Sequence, residues 1–276
     1  MRRFCLLLLL LVAVNVASLH PAGQSAGGGA VSFWKGGEAF AGGSLLLDHM
    51  DTNKYNVYAV RRDKPGALEL HTLDTDIIFI LEGSATFVTG GSVADSRVRG
   101  IEISGTAILN GEAREIGRGD VIMVPNGTPH WFREVSPAIN YFAVKLRQTD
   151  SHTPVPSTVR FWKGSDVFAG GGLVFDGKEG TYVRVYALRR DKPLGVELHA
   201  LDTDVVFVTD GSGTFVTGGT IVEPRSLREN EGTGLSIAEG TPRSLSRGAV
   251  LVVPHGVPHW LRDINGNLEF FAVKVR

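Results

Sequence analysis

Short apolar runs, each ended by glycine or proline, account for most of the hydrophobic residues in this chain. Asp76–Leu81 ends at Glu82-Gly83, Ala85–Thr89 ends at Gly90-Gly91, and Val121–Val124 ends at Pro125. Beyond the N-terminus, no segment shows a sustained helical period of 3.6 residues. This pattern predicts an all-β fold of short strands and tight turns, as in a sandwich or barrel.

Two polar, glycine-containing stretches interrupt this pattern at equivalent places. They are Ser92–Gly105 and Thr220–Gly234. We expect both to be surface loops, with a lid over a site as the alternative.

The N-terminus predicts a secretory signal. Met1–Arg3 carries positive charge, Phe4–Val16 is almost continuously apolar, and small residues follow. The apolar run is short for a transmembrane helix, although an uncleaved anchor is the alternative. We therefore expect residues 1–26 to be a signal peptide with a flexible N-terminus, and the protein to be periplasmic or secreted. The single cysteine, Cys5, would be lost on cleavage, which excludes disulfides, thiolate ligands and cysteine nucleophiles.

The rest of the chain consists of two similar units in tandem. Of the 61 positions from Val31 to Gly91, 35 are identical to those 128 residues later, and the similarity continues to the C-terminus with one inserted residue. Two domains, residues 31–147 and 159–276, are predicted. Residues 148–158, with Pro154 and Pro156, form the expected linker.

Charge and composition narrow the classes of partner. The formal net charge is −1, which offers no electrostatic basis for binding nucleic acid. A hydrophobic content of 43% excludes a disordered chain. We expect a small-molecule ligand, no integral membrane association after signal cleavage, and no nucleic acid; homo-oligomer formation is left open.

Candidate chemistry lies on two segments of each unit. Glu69 and His71 are two apart and face the same side of a strand. Asp74-Thr75 is a plausible turn that would bring Asp76 beside His71, and the turns at Pro125 and Gly127 could return His130 to the same interior. The predicted metal ligands are Glu69, His71, Asp76 and His130 in the first unit and Glu197, His199, Asp204 and His259 in the second.

Two imidazoles with carboxylates suit a divalent ion. Mn, Fe, Ni and Zn all suit such a donor set. Either all four side chains bind the ion, or the two histidines and the aspartate bind it and Glu69 or Glu197 acts as a catalytic base.

The motifs resemble those of the cupin superfamily, and the whole chain resembles a bicupin. Asp76 occupies the family's glutamate position, His71 its second histidine, and Glu69 the place of its first histidine. Gly119, Pro125, Gly127 and His130 match the second motif. The resemblance implies two tandem small double-stranded β-helix (jelly-roll) barrels, each with a metal site in its mouth. It also implies that Mn or Fe is the favoured ion, with Ni, Cu or Zn as alternatives, as in oxalate-handling enzymes and several dioxygenases.

Three functions remain open from the sequence. The favoured one is a metal-dependent oxidoreductase or lyase acting on a small, perhaps carboxylated, molecule, by a dioxygenase or a decarboxylase, lyase or isomerase reaction. The alternatives are a non-catalytic periplasmic binder of a small molecule or metal, and a metal-free structural bicupin. Trp131 and Trp260 are expected to pack the barrels. Arg61–Pro65 is expected to be a charged turn, with an arginine aimed into the barrel as the alternative.

Overall fold

The computed structural model describes residues 29–52, 54–148, 156–169, 172–177 and 183–276. The predicted signal peptide at 1–26 and most of the predicted linker lie outside the described residues. Within the described ranges, no helix is both long and apolar enough to cross a bilayer. The prediction of an all-β protein is confirmed, because strands dominate both repeats. The two helices among the described residues, a 3-10 helix (Gly36–Phe40) and α1 (Gly164–Val167), are only five and four residues long.

The strands of the two repeats follow one another in the same order. The first repeat contains β1 (Ser32–Trp34), β2 (Leu45–His49), β3 (Tyr55–Arg62), β4 (Leu70–His71), β5 (Asp74–Thr89), β6 (Ser92–Ala94), β7 (Arg97–Arg99), β8 (Glu102–Ser104), β9 (Ala107–Leu109), β10 (Glu112–Gly117), β11 (Val121–Val124) and β12 (His130–Arg147). The second contains β13 (Arg160–Trp162), β14 (Gly172–Gly177), β15 (Val183–Arg190), β16 (Val196–His199), β17 (Thr203–Thr217), β18 (Thr220–Val222), β19 (Arg225–Arg228), β20 (Glu231–Thr233), β21 (Ser236–Ala238), β22 (Thr241–Ser246), β23 (Val250–Val253) and β24 (His259–Val275).

Each repeat is built around one pair of long antiparallel strands, β5 with β12 and β17 with β24. The prediction that a strand ends at Glu82-Gly83 was wrong, because β5 continues through this point. Gly83 has a φ of +82° and a built Cβ would lie 1.9 Å from the carbonyl oxygen of Ala138. Only glycine fits this bulge, which bends the strand without ending it. The expected turn at Asp74-Thr75 was also misplaced, since both residues already belong to β5.

The two polar stretches are not irregular loops. In the first repeat β6 pairs with β9, and β7 and β8 form a hairpin whose second strand pairs with β4. The second repeat has the same arrangement, with β19 and β20 joined to β16. Their polar composition reflects exposure on a narrow hairpin. Because β4 and β16 contain His71 and His199, both hairpins are attached to the candidate sites.

The first strand of each repeat belongs to the other repeat's sheet. β1 pairs with β23, and β13 pairs with β11. We call the sheet β13-β11-β5-β12-β3-β2, with β10, barrel 1, and the sheet that contains β1, β14–β17 and β22–β24 barrel 2. Phe161 accordingly packs on the core of barrel 1, and Phe33 on that of barrel 2. The two barrels are therefore joined by exchanged strands as well as by the chain between them.

A shared apolar core lies between the barrels. It is centred on four aromatic rings, and those of Phe79 and Phe271 lie 4.7 Å apart, as do those of Phe142 and Phe207. Trp34 and Trp162 pack against this core. Each repeat thus covers one face of the other's sheet.

Candidate metal centres

The two predicted imidazole ligands of barrel 1 lie close to both predicted carboxylates. His71 Nε2 and His130 Nε2 each lie 3.3 Å from Asp76 Oδ2 and 3.7 Å from Glu69 Oε2. His71, Asp76 and His130 are buried, whereas the side chain of Glu69 is 46% exposed. Glu69 therefore lies at the mouth of the barrel, and the other three residues lie deeper.

Strand pairing explains this convergence. The backbone of Glu69 exchanges two hydrogen bonds with His130, which places their side chains next to each other. His71 follows two residues later on the same face, in β4. Asp76 extends from β5 towards them, because β5 pairs with β12 throughout its length.

Barrel 2 brings its four predicted residues together in the same way. His199 Nε2 lies 3.5 Å from both Glu197 Oε2 and Asp204 Oδ2, and His259 Nε2 lies 3.4 Å from both oxygens. Glu197 is again half exposed, and the other three residues are buried. In barrel 2 the four donor atoms all lie within 4.8 Å of one another, whereas in barrel 1 this holds for Glu69, His71 and His130. Asp76 contacts both imidazoles of barrel 1 but does not belong to that set.

The donor atoms fit a divalent transition metal. Two atoms that bind one ion at about 2.1 Å, at angles between right-angled and tetrahedral, lie roughly 3.0 to 3.5 Å apart. The observed separations are at or slightly beyond this range. His71 Nε2 and His259 Nε2 are buried and have no partner in hydrogen-bonding geometry. A shared ion would satisfy these two nitrogen atoms.

The other ring nitrogen of each histidine is already engaged. His130 Nδ1 lies 3.2 Å from the carbonyl oxygen of Thr128, and His259 Nδ1 lies 3.0 Å from that of Val257. A carbonyl oxygen can only accept, so Nδ1 carries the proton in both rings. Each Nε2 is then directed into the site, where its lone pair can bind a metal once its proton has left.

The site also perturbs the acidity of its residues when no metal is bound. Burial alone lowers the pKa of His71, but the carboxylates of Asp76 and Glu69 outweigh it and raise that pKa to about 10. His199 is raised to about 10 in the same way by Asp204 and Glu197. Burial raises the pKa of Asp76, but Lys145 and the two imidazoles outweigh it and hold the pKa well below its usual value. Metal binding must therefore displace protons from these imidazoles.

Two lysines in the sites were not foreseen. Lys145 Nζ lies 2.9 Å from Asp76 Oδ1, and Lys274 Nζ lies 2.8 and 2.9 Å from the two carboxylate oxygens of Asp204. Each lysine pairs with its aspartate across two adjacent strands. The available signal was the repeated Phe-Ala-Val-Lys segment, in which the lysine is two residues after an inward-facing alanine.

Two glutamates from the hairpins were also missed. Glu102 Oε2 lies 2.5 Å from His71 Nδ1, and Glu231 Oε2 lies 2.5 Å from His199 Nδ1. These carboxylates fix the ring orientation and increase the basicity of the imidazole as a ligand. They occupy equivalent positions in the two stretches expected from the sequence to be surface loops, and only that equivalence could have identified them.

The tryptophans next to the histidines serve the structure around the site. Trp131 Nε1 donates to the carbonyl oxygen of Gly66, and Trp260 Nε1 donates to that of Leu194, both at 2.9 Å. Each indole thereby fixes the segment that precedes the glutamate of its site. The packing role predicted for Trp131 and Trp260 stays a prediction.

A cavity of about 250 Å³ opens beside the site of barrel 1. Glu69, Asp76, His130 and Lys145 contribute its polar wall. Arg62, the last residue of β3, also lines it. This agrees with the alternative of an arginine aimed into the barrel and not with a charged turn at this residue. The cavity can hold a small molecule within reach of the metal ligands.

Comparison with known proteins agrees with this architecture. Residues 46–164 match the family model described as Cupin. A salicylate 1,2-dioxygenase from Pseudaminobacter salicylatoxidans is similar, with a TM-score of 0.56, 12% identity, and coverage of 96% of this chain and 88% of that chain. No curated protein sequence matches this chain.

Two further solved structures show the same likeness over most of both chains. One is a cupin 2 conserved barrel domain protein from Leptotrichia buccalis, with a TM-score of 0.52, 11% identity, and coverage of 93% of this chain and 92% of that one. The other is the protein Ylba from E. coli, with a TM-score of 0.53, 9% identity, and coverage of 93% and 87%. At these identities the likeness concerns the fold. The chain therefore has the all-β cupin fold, and residues 46–164 carry the match to the Cupin family model.

Proposed function

We propose that this protein is an exported, metal-dependent bicupin enzyme that acts on a small molecule, in a dioxygenase or a decarboxylase, lyase or isomerase reaction. The observation that carries the proposal is the convergence of two buried imidazoles and two carboxylates beside a cavity in barrel 1. Export rests on the sequence of residues 1–26 alone. A metal-binding protein without turnover is the alternative from a different class.

The residues that would hold the ion in barrel 1 are Glu69, His71, Asp76 and His130. A bound divalent ion would act as a Lewis acid or activate oxygen. Asp76 is buried and ion-paired with Lys145, so it is held as an anion in a fixed position.

Glu69 differs from the other three because it is half exposed at the mouth and lines the cavity. A substrate in that cavity would contact Glu69 first. From this position Glu69 could either bind the ion or take a proton from the substrate. Lys145, on the same wall, can donate a hydrogen bond to substrate or product.

Metal analysis and oxygen uptake test this proposal together. Wild-type protein is compared with His130→Ala, which removes a buried donor, and with Glu134→Gln, which changes an exposed carboxylate outside the site. We expect the metal of barrel 1, and turnover, to be lost in His130→Ala and kept in Glu134→Gln. Oxygen consumed in proportion to product supports a dioxygenase, and turnover without oxygen supports a lyase, decarboxylase or isomerase. Full metal content in His130→Ala would refute the assigned site.

A further inference from the structure

The cavity of barrel 1 is lined by a cationic side chain, Arg62, that is not one of the predicted metal ligands. Arg62 NH2 donates to the hydroxyl oxygen of Tyr141 at 3.2 Å, and its guanidinium carbon lies 5.3 Å from the centre of the Phe132 ring. Its Nε is buried and has no hydrogen-bond partner. A buried N–H of a guanidinium is costly to leave unpaired, so Arg62 is poised for an acceptor that arrives with a ligand.

Gly66 makes room for this arrangement. A Cβ built on Gly66 would lie 2.6 Å from Arg62 NH1 and 3.0 Å from its Cζ. The backbone of Gly66 is outside the left-handed region, so what excludes a side chain here is the guanidinium and not the backbone. The hydrogen bond from Trp131 holds this segment in place.

Barrel 2 lacks this arrangement, although its metal-ligand set is the same. Leu194 stands at the position equivalent to Gly66, and Phe270 at that of Tyr141. Arg190, the counterpart of Arg62, donates instead to the carbonyl oxygen of Arg189 at 3.2 Å, on the exposed side. The equivalent space is apolar, because Leu188, Leu194, Leu261 and Phe270 pack on one core cluster.

The charges of barrel 1 favour an anion. Arg62 and Lys145 offset Glu69 and Asp76, so a divalent ion would leave the cavity with an excess of positive charge. A planar guanidinium matches a carboxylate, because two parallel N–H groups can reach two oxygens. The remaining wall is largely apolar, with Val60, Ile78, Phe132 and Ala143.

We propose that Arg62, with Tyr141, binds the carboxylate of a small molecule with an apolar or aromatic body, and that only barrel 1 does so. The inference deepens the proposed function, because it names the substrate class of that site and assigns it to one barrel. Carboxylate binding itself can be measured whether or not a metal is present.

Calorimetric titration of the full-length mature chain with benzoate tests this, with benzamide as the uncharged analogue and inorganic phosphate as a second anion. Titrations use Mn-loaded and chelator-treated protein. We expect one benzoate site per chain. Arg62→Met should weaken benzoate binding by roughly 10- to 100-fold, because a charge-assisted hydrogen-bonded pair is lost. Benzamide should bind wild type more weakly than benzoate by a similar factor.

Two further variants make the test specific. Gly66→Leu keeps Arg62 but introduces the leucine that stands at the equivalent position of barrel 2. It should weaken benzoate binding as much as Arg62→Met does. Arg190→Met is the matched control and should bind benzoate like wild type. Circular dichroism and metal content establish folding, and Gly66→Leu decides the test if Arg62→Met does not fold.

The proposal would be overturned by any of three results. These are the absence of benzoate binding to wild type, equal binding by wild type and Arg62→Met, and tighter binding of phosphate than of benzoate. Loss of binding in Arg190→Met would overturn the assignment to barrel 1. Protein that holds no metal but binds benzoate through Arg62 refutes the proposed metalloenzyme and leaves this inference standing. Metal-loaded protein that binds benzoate equally well without Arg62 refutes this inference and leaves the proposed metalloenzyme standing.

Discussion

Lys274 Nζ lies 2.6 Å from His199 Nε2, so that in barrel 2 the ammonium group contacts both an imidazole and the carboxylate of Asp204. In barrel 1 the equivalent Lys145 approaches Asp76 at 2.9 Å, and His71 Nε2 has no hydrogen-bond partner. The lysine of barrel 2 thus engages a nitrogen that a metal would need. The two sites share their ligands but differ in how far an internal cation competes for them.

Removal of this lysine should therefore strengthen metal binding in barrel 2. We expect Lys274→Met to raise the Mn affinity of that site by about 10-fold or more, since a nearby positive charge is lost from a buried site. Lys145→Met should have a smaller effect on barrel 1. Each site is titrated alone, with the other disabled by His130→Ala or His259→Ala. Equal effects of the two substitutions would show that the difference in lysine contacts has no energetic consequence.

The hairpin glutamates should tune the metal sites from outside the ligand set. Glu102→Gln and Glu231→Gln are expected to lower metal affinity by roughly 10- to 100-fold, because the carboxylate partner of a ligating imidazole is lost. The effect should be larger for Glu231, whose side chain is 12% exposed, than for Glu102, which is 48% exposed.

Competition with a fluorescent chelator measures both affinities. Glu134→Gln, an exposed change outside the site, serves as the control and should match wild type. Wild-type affinity in Glu231→Gln would contradict a positioning role for the hairpin.

Because β1 and β13 pair with the other repeat's sheet, the stability of each barrel should depend on residues of the other repeat. Phe161 follows the predicted linker but packs on the core of barrel 1. We expect Phe161→Ala to destabilise barrel 1 by about 1 to 3 kcal/mol, because a largely apolar side chain is truncated against a packed core. Hydrogen exchange in β11 and β5 should increase more than in β23. Increased exchange confined to barrel 2 would contradict the observed pairing of β13 with β11.

The repeat was accessible from sequence identity, and the all-β class and the shared face of Glu69 and His71 from local spacing. Glu69 and His71 share a face by the two-residue period of a strand, and the turns before His130 are set by Pro125 and Gly127. None of these inferences needed a long-range contact. Asp76 was expected to approach His71 through a turn at Asp74-Thr75, but the pairing of β5 with β12 positions it instead.

The features of the fold and of the site that the sequence did not predict all depend on pairing between distant strands. From the sequence alone, Lys145 would be assigned to the surface and Glu102 to a loop. The pairing of β12 with β5 brings Lys145 to the site, and the pairing of the hairpin with β4 brings Glu102 there. Likewise, β13 lies next to its own repeat in sequence, and only the sheet order shows that it completes the other barrel.

Elemental analysis of the mature protein, purified without a metal-affinity tag, tests the central claim most directly. The account predicts Mn, Fe or another divalent transition metal at up to one ion per barrel, with loss of the ion from the altered barrel in His130→Ala and in His259→Ala. Protein without metal, also after reconstitution with Mn, Fe, Ni, Cu and Zn, would contradict the account, as would a double variant that keeps the wild-type metal content.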